Sequence, residues 1–326
     1  MRGSGVSEQL LTIGIDIGGT NLRAAVADDN GQVLDVEQLP TPPSSEALEM
    51  AVVAVVDKLR ARHEGVAAVG LAVAGFVDES QQMVRFAPHL PWRETPVKRV
   101  MSRALELPVI LEHDANSAAW GEHEFGAARD AKNWVLLALG TGIGGAIMMN
   151  GEIYRGAFGV APEFGHLTVV PNGRSCPCGK RGCLERYCSG SALPLTAQDL
   201  IARGQFPHSR LAQDFGKCPE EISGRAVVRM AREGDELAQA VIKDMGTWLG
   251  RGLAMIQDVL DPELIVVAGG VAVDADLLLD YAQNVMGKTI VGAGSRPVAR
   301  VAVAELGSQA GMIGVAKLAR TLLPEQ

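Results

Sequence analysis

The chain opens with short apolar runs broken by glycine, the pattern of buried strands. Leu11 to Ile17 ends at Gly18-Gly19-Thr20, Leu22 to Ala27 follows, and Asp29-Asn30-Gly31 marks a hairpin turn before a third strand, Gln32 to Leu39. Pro40, Pro42 and Pro43 stop that strand. Ser44 or Ser45 then caps a helix through Arg62, with Leu48, Val52, Val55 and Leu59 on one face. Val66 to Ala74 reads as a buried strand. Thr95-Pro96 reads as a helix start with Thr as N-cap, and Val109 to Glu112 as a strand running into a helix near Ala115. The plan then restarts: Trp134 to Leu139 ends in Gly140-Thr141-Gly142-Ile143-Gly144-Gly145, Ala146 to Met149 follows, and Asn150-Gly151 supplies a second hairpin turn. Strand, glycine-rich turn, strand and Asn-Gly turn thus occur twice, which predicts a duplicated α/β domain. A helix around Leu237 to Leu260, a strand Leu264 to Ala268 ending in Gly269-Gly270, and a final helix from about Gln309 to Leu322 complete the pattern. Residues 1–9 carry no structural signal and read as a loose tail.

Composition narrows the classes of function. At 326 residues, 47% of them apolar, the chain can fill two cores. A net charge of −8 and a pI near 5.4 argue against a nucleic-acid surface, and only 4% aromatic residues argue against a base-stacking platform. No apolar run is long enough to span a membrane, and the first apolar stretch is cut by Asp16, unlike a signal peptide. The five cysteines suit a reducing cytoplasm better than a disulfide framework.

Three of those cysteines are compressed into Cys176-Pro-Cys178-Gly-Lys-Arg-Gly-Cys183, just after Glu163-Phe-Gly-His166 and just before Glu185. The stretch has almost no apolar side chain to bury, so a core role explains it poorly. Three thiolates and an imidazole make a closed tetrahedral zinc set, which holds structure and does not activate water. His166 is the expected fourth donor, with Cys188 as its competitor. The glycine-rich turns join strand to strand, unlike a P-loop, and a lone turn of this kind is explained by a tight hairpin. Two in matching places, each with a threonine (Thr20 and Thr141), point to backbone cradles for phosphate. Asp16 could orient a hydrated Mg²⁺ there or simply cap the turn. Asp114, after a buried strand and before a helix, could accept a hydroxyl proton, although its position alone favours a helix cap.

Taken in order, these pieces resemble the ROK family of sugar kinases and sugar-responsive regulators. They are Asp16-Ile-Gly-Gly-Thr-Asn21, Gly75-Phe-Val-Asp78, Asp114-Ala-Asn116, Leu139 to Gly145, Glu163-Phe-Gly-His166, the cysteine run and Gly269-Gly270. Within the family the likeness is to the bacterial ATP-dependent glucokinases that carry the Cys-rich zinc motif. The resemblance implies an actin-like, hexokinase-like fold of two α/β domains with the sugar in a cleft between them. Residues 1–120 would form the small domain, with a helix at about 309–326 packing back on it. Residues 121–308 would form the large domain, carrying the zinc motif and a dimer interface. It implies phosphorylation of glucose at O6, with Asp114 as base and Gly75, His113, Asp114, Glu163, His166 and Glu185 binding the sugar. ATP would lie on Asp16, Gly18, Gly19, Thr20, Asn21, Thr141, Gly142, Gly144, Gly269 and Gly270, with Mg²⁺ near Asp16. Zinc would sit on His166, Cys176, Cys178 and Cys183, so that His166 serves metal and sugar through its two ring nitrogens. A homodimer is expected, with a tetramer as the alternative. The alternatives are a kinase for another hexose or an N-acetylhexosamine, polyphosphate as donor, or a non-catalytic sugar-sensing regulator. Only about ten residues precede the first strand, too few for a helix-turn-helix module. The chain departs from the family at His113 and His89, where asparagine is usual, and at Ala74, where proline is common; sugar preference rests on these positions.

Overall fold

Two five-stranded sheets with the same internal plan organise the computed structural model, which describes residues 10–324. The expected tail at residues 1–9 lies outside the described residues. In the first half the order of elements is β1 (Leu11–Ile17), β2 (Asn21–Ala27), β3 (Val33–Pro40), α1 (Ser45–Arg60), β4 (Val66–Val73), β5 (Phe76–Val77), β6 (Val84–Phe86), β7 (Arg93–Thr95), α2 (Val97–Leu105), β8 (Val109–His113) and α3 (Asp114–Phe125). The second half runs β9 (Trp134–Leu139), β10 (Ile143–Met149), β11 (Glu152–Ile153), α4 (Ala192–Ala202), α5 (Arg210–Phe215), α6 (Gly224–Arg232), α7 (Glu236–Leu260), β12 (Leu264–Ala268), α8 (Leu279–Thr289), β13 (Arg300–Val303) and α9 (Ala310–Arg320).

The sheets order as β3-β2-β1-β4-β8 and β11-β10-β9-β12-β13. In the first, β1 pairs antiparallel with β2 and parallel with β4, and β4 is parallel to β8. In the second, β12 is parallel to both β9 and β13. The repeated turn signals thus mark a true duplication.

The chain divides into two compact units. One comprises the residues up to Lys132, Ala146–Pro162 and the chain from Glu305; the other comprises Asn133–Gly145 and Glu163–Ala304. The expected boundary at residue 120 falls inside α3, a single helix that carries the first unit onward, and Ala146–Pro162 and 305–308 also group with that unit.

In the first unit Ile13, Ile15, Leu22, Val52, Leu71 and Leu111 are fully buried, with α1 closing one face of the sheet. Ser44 caps α1 as expected, its Oγ accepting from Ala47 N at 3.3 Å. On the other face α9 comes so close that a Cβ on Gly14 would lie 1.9 Å from Met312 O, and one on Gly314 1.7 Å from Ser117 O of α3. Only glycine permits that backbone-to-backbone approach. Glu122, fully buried on α3, pins the returning chain by accepting from Glu305 N (3.0 Å) and Leu306 N (2.8 Å).

Thr95 does not cap α2. Pro96 is the cap residue and Val97 the first helical one, because Thr95 ends β7 and its Oγ1 bonds to the Arg93 backbone instead. Among the described residues no helix is long and apolar enough to cross a membrane.

Candidate active site

In the first unit the chemistry gathers at the ends of parallel strands, where α/β sheets place ligands. Asp16 sits near the end of β1, and Asp114 follows directly on β8. Asp114 opens α3, yet it makes no helix cap. His113 occupies the cap position without a side-chain cap bond, and Asp114 Oδ1 accepts from the neighbouring Ala115 N at 2.7 Å. A capping carboxylate would reach the second or third N–H of the helix. His113 Nε2 lies 3.1 Å from the same Oδ1. Oδ2 takes no hydrogen bond among the described residues, so one oxygen is fixed and the other is left for a ligand.

Asp16 is held in a different electrostatic state. Burial and the nearby Asp114 carboxylate raise its pKa to about 6, against the opposing pull of Arg23. A carboxylate disfavoured in this way gains from a bound cation, so the site fits the expected Mg²⁺. The first glycine turn lies alongside: Gly18 N donates to Asn21 O at 3.0 Å and Thr41 Oγ1 to Gly18 O at 2.6 Å. Gly19 and Thr20 are exposed, and Gly19 packs on His89 so closely that a Cβ would lie 2.6 Å from that residue's Cβ. Asn21 spends its side-chain oxygen on Gln38, 3.2 Å away. Gly75 is pressed against Ala87, again with no room for a side chain.

Sequence reasoning missed Glu112. It is 1% exposed and accepts from Asn116 Nδ2 (2.9 Å), Gln81 Nε2 (2.8 Å), His113 N (2.9 Å) and Arg155 Nε (2.9 Å). A buried carboxylate is tolerable only when paired and hydrogen-bonded in this way. It locks the backbone immediately before Asp114. Its signal was a lone acid ending the apolar run Val109-Ile-Leu.

In the second unit the donor atoms of His166, Cys176, Cys178 and Cys183 all lie within 4.8 Å of one another. His166 Nδ1 is 3.7 Å from Cys176 Sγ, and Cys178 Sγ is 3.7 Å from Cys183 Sγ. Tetrahedral zinc with ordinary bond lengths separates its ligands by about 3.6–3.8 Å, so the donor set fits that ion. Cys188 is fully buried and stands outside the group. The other ring nitrogen of His166, Nε2, faces Glu163 Oε2 at 3.8 Å. The imidazole therefore turns one nitrogen to the thiols and the other to the Glu163 carboxylate. Lys180 Nζ and Arg174 brace the knot, donating to His166 O (2.6 Å) and Asp199 Oδ2 (2.6 Å).

Glu185 is placed against the second glycine turn, where its Oε2 accepts from Ile143 N at 3.0 Å. A Cβ on Gly142 would lie 2.2 Å from that oxygen, so a side chain there would displace the Glu185 carboxylate. Gly144 continues the turn into β10. A cavity of about 990 Å³ lies within this unit, large enough for a nucleoside, with Thr141 and Gly270 in its wall. Gly269 is not in that wall. Its φ of +89° and a Cβ position 2.4 Å from Leu139 O explain the residue by strand packing instead. Sequence reasoning also missed the other side of this cavity, Ser191 with Arg225, Arg229 and Arg232 of α6. Arg232 is already paired with Asp274 (2.8 Å) and Asp276 (2.9 Å).

The model of the ROK family matches residues 12–322. The chain belongs to the ROK family. A glucokinase from Streptomyces coelicolor is 41% identical over 95% of this chain and 98% of its own. Among solved structures, a ROK glucokinase from Streptomyces griseus in complex with glucose and AMPPNP superposes with a TM-score of 0.82 at 40% identity, covering 95% of this chain and 99% of that one. A ROK hexokinase from Thermus thermophilus gives 0.77 at 29% identity, covering 96% and 99%. The fold is accordingly the actin-like two-domain fold of ROK glucokinases.

Proposed function

We propose that the chain transfers the terminal phosphoryl group of ATP to O6 of glucose, with Asp114 as the general base. The observation that carries this reading is the carboxylate of Asp114, held by one oxygen at the end of β8 with the other unengaged. Asp114 Oδ2 takes the proton of the attacking hydroxyl. His113 and the Ala115 N–H keep the carboxylate in place, and Glu112 fixes the backbone behind it. Phosphoryl transfer has a loose transition state, so orientation and charge neutralisation carry most of the rate. Gly18, Gly19, Thr20 and Asn21 of the first turn, with Thr141, Gly142 and Gly144 of the second, offer backbone and hydroxyl donors to the phosphates. The 990 Å³ cavity beside Thr141 and Gly270 accommodates the nucleoside. Gly75, His113, Glu163, Glu185 and the Nε2 side of His166 bind sugar hydroxyls.

Asp16 would hold Mg²⁺, which supplies positive charge to the phosphates. His166 Nδ1, Cys176, Cys178 and Cys183 would hold zinc, whose four protein donors leave no open position, so its contribution is structural. The reading includes a cytoplasmic enzyme, supported by free cysteines, and a homodimer, supported by the family likeness.

A second reading keeps the chemistry and changes the acceptor to another hexose or an N-acetylhexosamine. The imidazole of His113 beside the base favours it, because that residue also faces the sugar under this reading. Initial rates of ADP formation from MgATP decide between them, measured with glucose, mannose, fructose, N-acetylglucosamine, N-acetylmannosamine and no sugar. Turnover confined to glucose is expected. Strong preference for another sugar moves the substrate, and no sugar-dependent ADP from folded, metal-loaded protein defeats both readings.

A further inference from the structure

The second glycine turn is gripped from several sides, and every grip leads back to the metal-ligand knot. Glu185 Oε2 accepts from Ile143 N at 3.0 Å, and the turn is moulded to it at Gly142. The carbonyl of the same residue is pressed by Gly165, where a Cβ would lie 2.6 Å from Ile143 O. The Phe164 ring closes on Gly145, with 2.6 Å left for a Cβ. Gly190 N donates to Gly140 O at 2.8 Å. These contacts come from two short stretches. One holds Phe164, Gly165 and the donor His166; the other runs from the donor Cys183 through Glu185 to Gly190.

We propose that Glu185 is a positioning residue that ties the Cys/His knot to the Gly140–Gly145 turn, so that the state of the knot sets the shape of the phosphate-binding backbone. The proposal rests on reading that turn as a phosphate cradle. Only Leu184 separates Cys183 from Glu185 within the tight turn Leu184–Arg186, and Leu184 N is bonded to Leu167 O at 2.8 Å, next to His166. The whole lever is therefore short and stiff when its donors are gathered. Without a metal the three thiols and the imidazole lose their shared ligand and are held only by the backbone bonds of the knot, such as Cys176 N to Lys180 O, and by Lys180 and Arg174. Glu185 Oε1 accepts no hydrogen bond among the described residues. It remains available to a sugar hydroxyl, so one carboxylate can face the acceptor with one oxygen and hold the donor's turn with the other.

The test is calorimetric binding of a non-hydrolysable ATP analogue in the absence of sugar, combined with hydrogen exchange. E185A should weaken analogue binding by about tenfold or more, as expected for losing a charged acceptor on a backbone N–H, whereas E185Q, which keeps a carbonyl oxygen, should stay within about threefold. In the wild type, chelating the metal should speed exchange in the peptide spanning residues 139–146 while α7 keeps its protection. If E185A does not fold, E185D shortens the reach by one methylene and gives the same readouts. Wild-type analogue affinity in E185A or E185D, or a turn equally protected with and without metal, overturns the proposal. Failure of the wild type to bind the analogue instead overturns the functional reading, and the exchange measurement still reports on the coupling.

Discussion

The two glycine turns occupy the same place in matching sheets, between the first and second strands, yet they are supported in opposite ways. The turn after β1 is held by its own neighbourhood: Gly18 N bonds to Asn21 O, and Thr41, just past β3, bonds to Gly18 O and Thr20 O. The turn after β9 keeps one internal bond, Gly140 N to Gly142 O at 2.9 Å, and takes the rest from Glu185 and Gly190. The strands feeding them differ as well. Asp16 precedes the first turn where Ala138 precedes the second, and Asp114 follows β8 where Ala304 follows the matching strand β13. Duplication supplied the backbone twice. One copy then took the charged groups, and the other took a scaffold that its twin lacks.

Metal removal should separate the copies most sharply. Under the zinc reading, a strong chelator should destabilise the second unit by several kcal/mol or more, since a structural zinc carries folding free energy outright. Limited proteolysis should then cut between residues 163 and 190 first; equal cutting around the first turn would erase the contrast. Next in size is Asp114→Asn, expected to lower kcat by about 10²–10⁴ while glucose affinity stays within about tenfold. A variant with full turnover would show that the first copy's charge is not what drives the reaction.

Asp16 gives a smaller effect with a definite sign. Its folded pKa is raised from 3.8 to about 6, so the folded state binds the proton more tightly. The stability this provides is full below about pH 4 and is lost as pH rises through about 6. In metal-free buffer Asp16→Asn should therefore match the wild type near pH 3.5 and exceed it by up to about 3 kcal/mol at pH 7. Denaturant titrations at both pH values check it, and a constant difference would remove the buried-charge explanation. The smallest effect belongs to Thr41→Val, which deletes the hydroxyl bond to Gly18 O and should cost about 1 kcal/mol, with a few-fold weaker nucleotide binding. No change would mean that the first hairpin holds its turn without Thr41.

What the sequence disclosed follows from what repeats and what is rare. Leu11 to Ile17 and Trp134 to Leu139 stood out because a buried strand must be apolar throughout, and the Cys/His spacing because few other structures require it. The strands β5, β6 and β7 are two or three residues long, shorter than any period can register. Glu112 and Arg155 escaped notice for a related reason. Each looks like an ordinary charge until the fold buries one against the other. The placement of Glu185 on Ile143 N was equally hidden, since nothing in a Cys-Leu-Glu sequence says which backbone amide the acid will meet.

The close seating of α9 on Gly14 and against α3 carries a consequence for how the protein is made. The first sheet is complete with β8, but the helix that covers one of its faces follows about 200 residues later in the chain. At ordinary translation rates the face stays bare for roughly ten to forty seconds. Throughout that interval the nascent chain displays an apolar surface that the sequence already made cannot hide, so the cell must shield it or tolerate it until α9 has emerged.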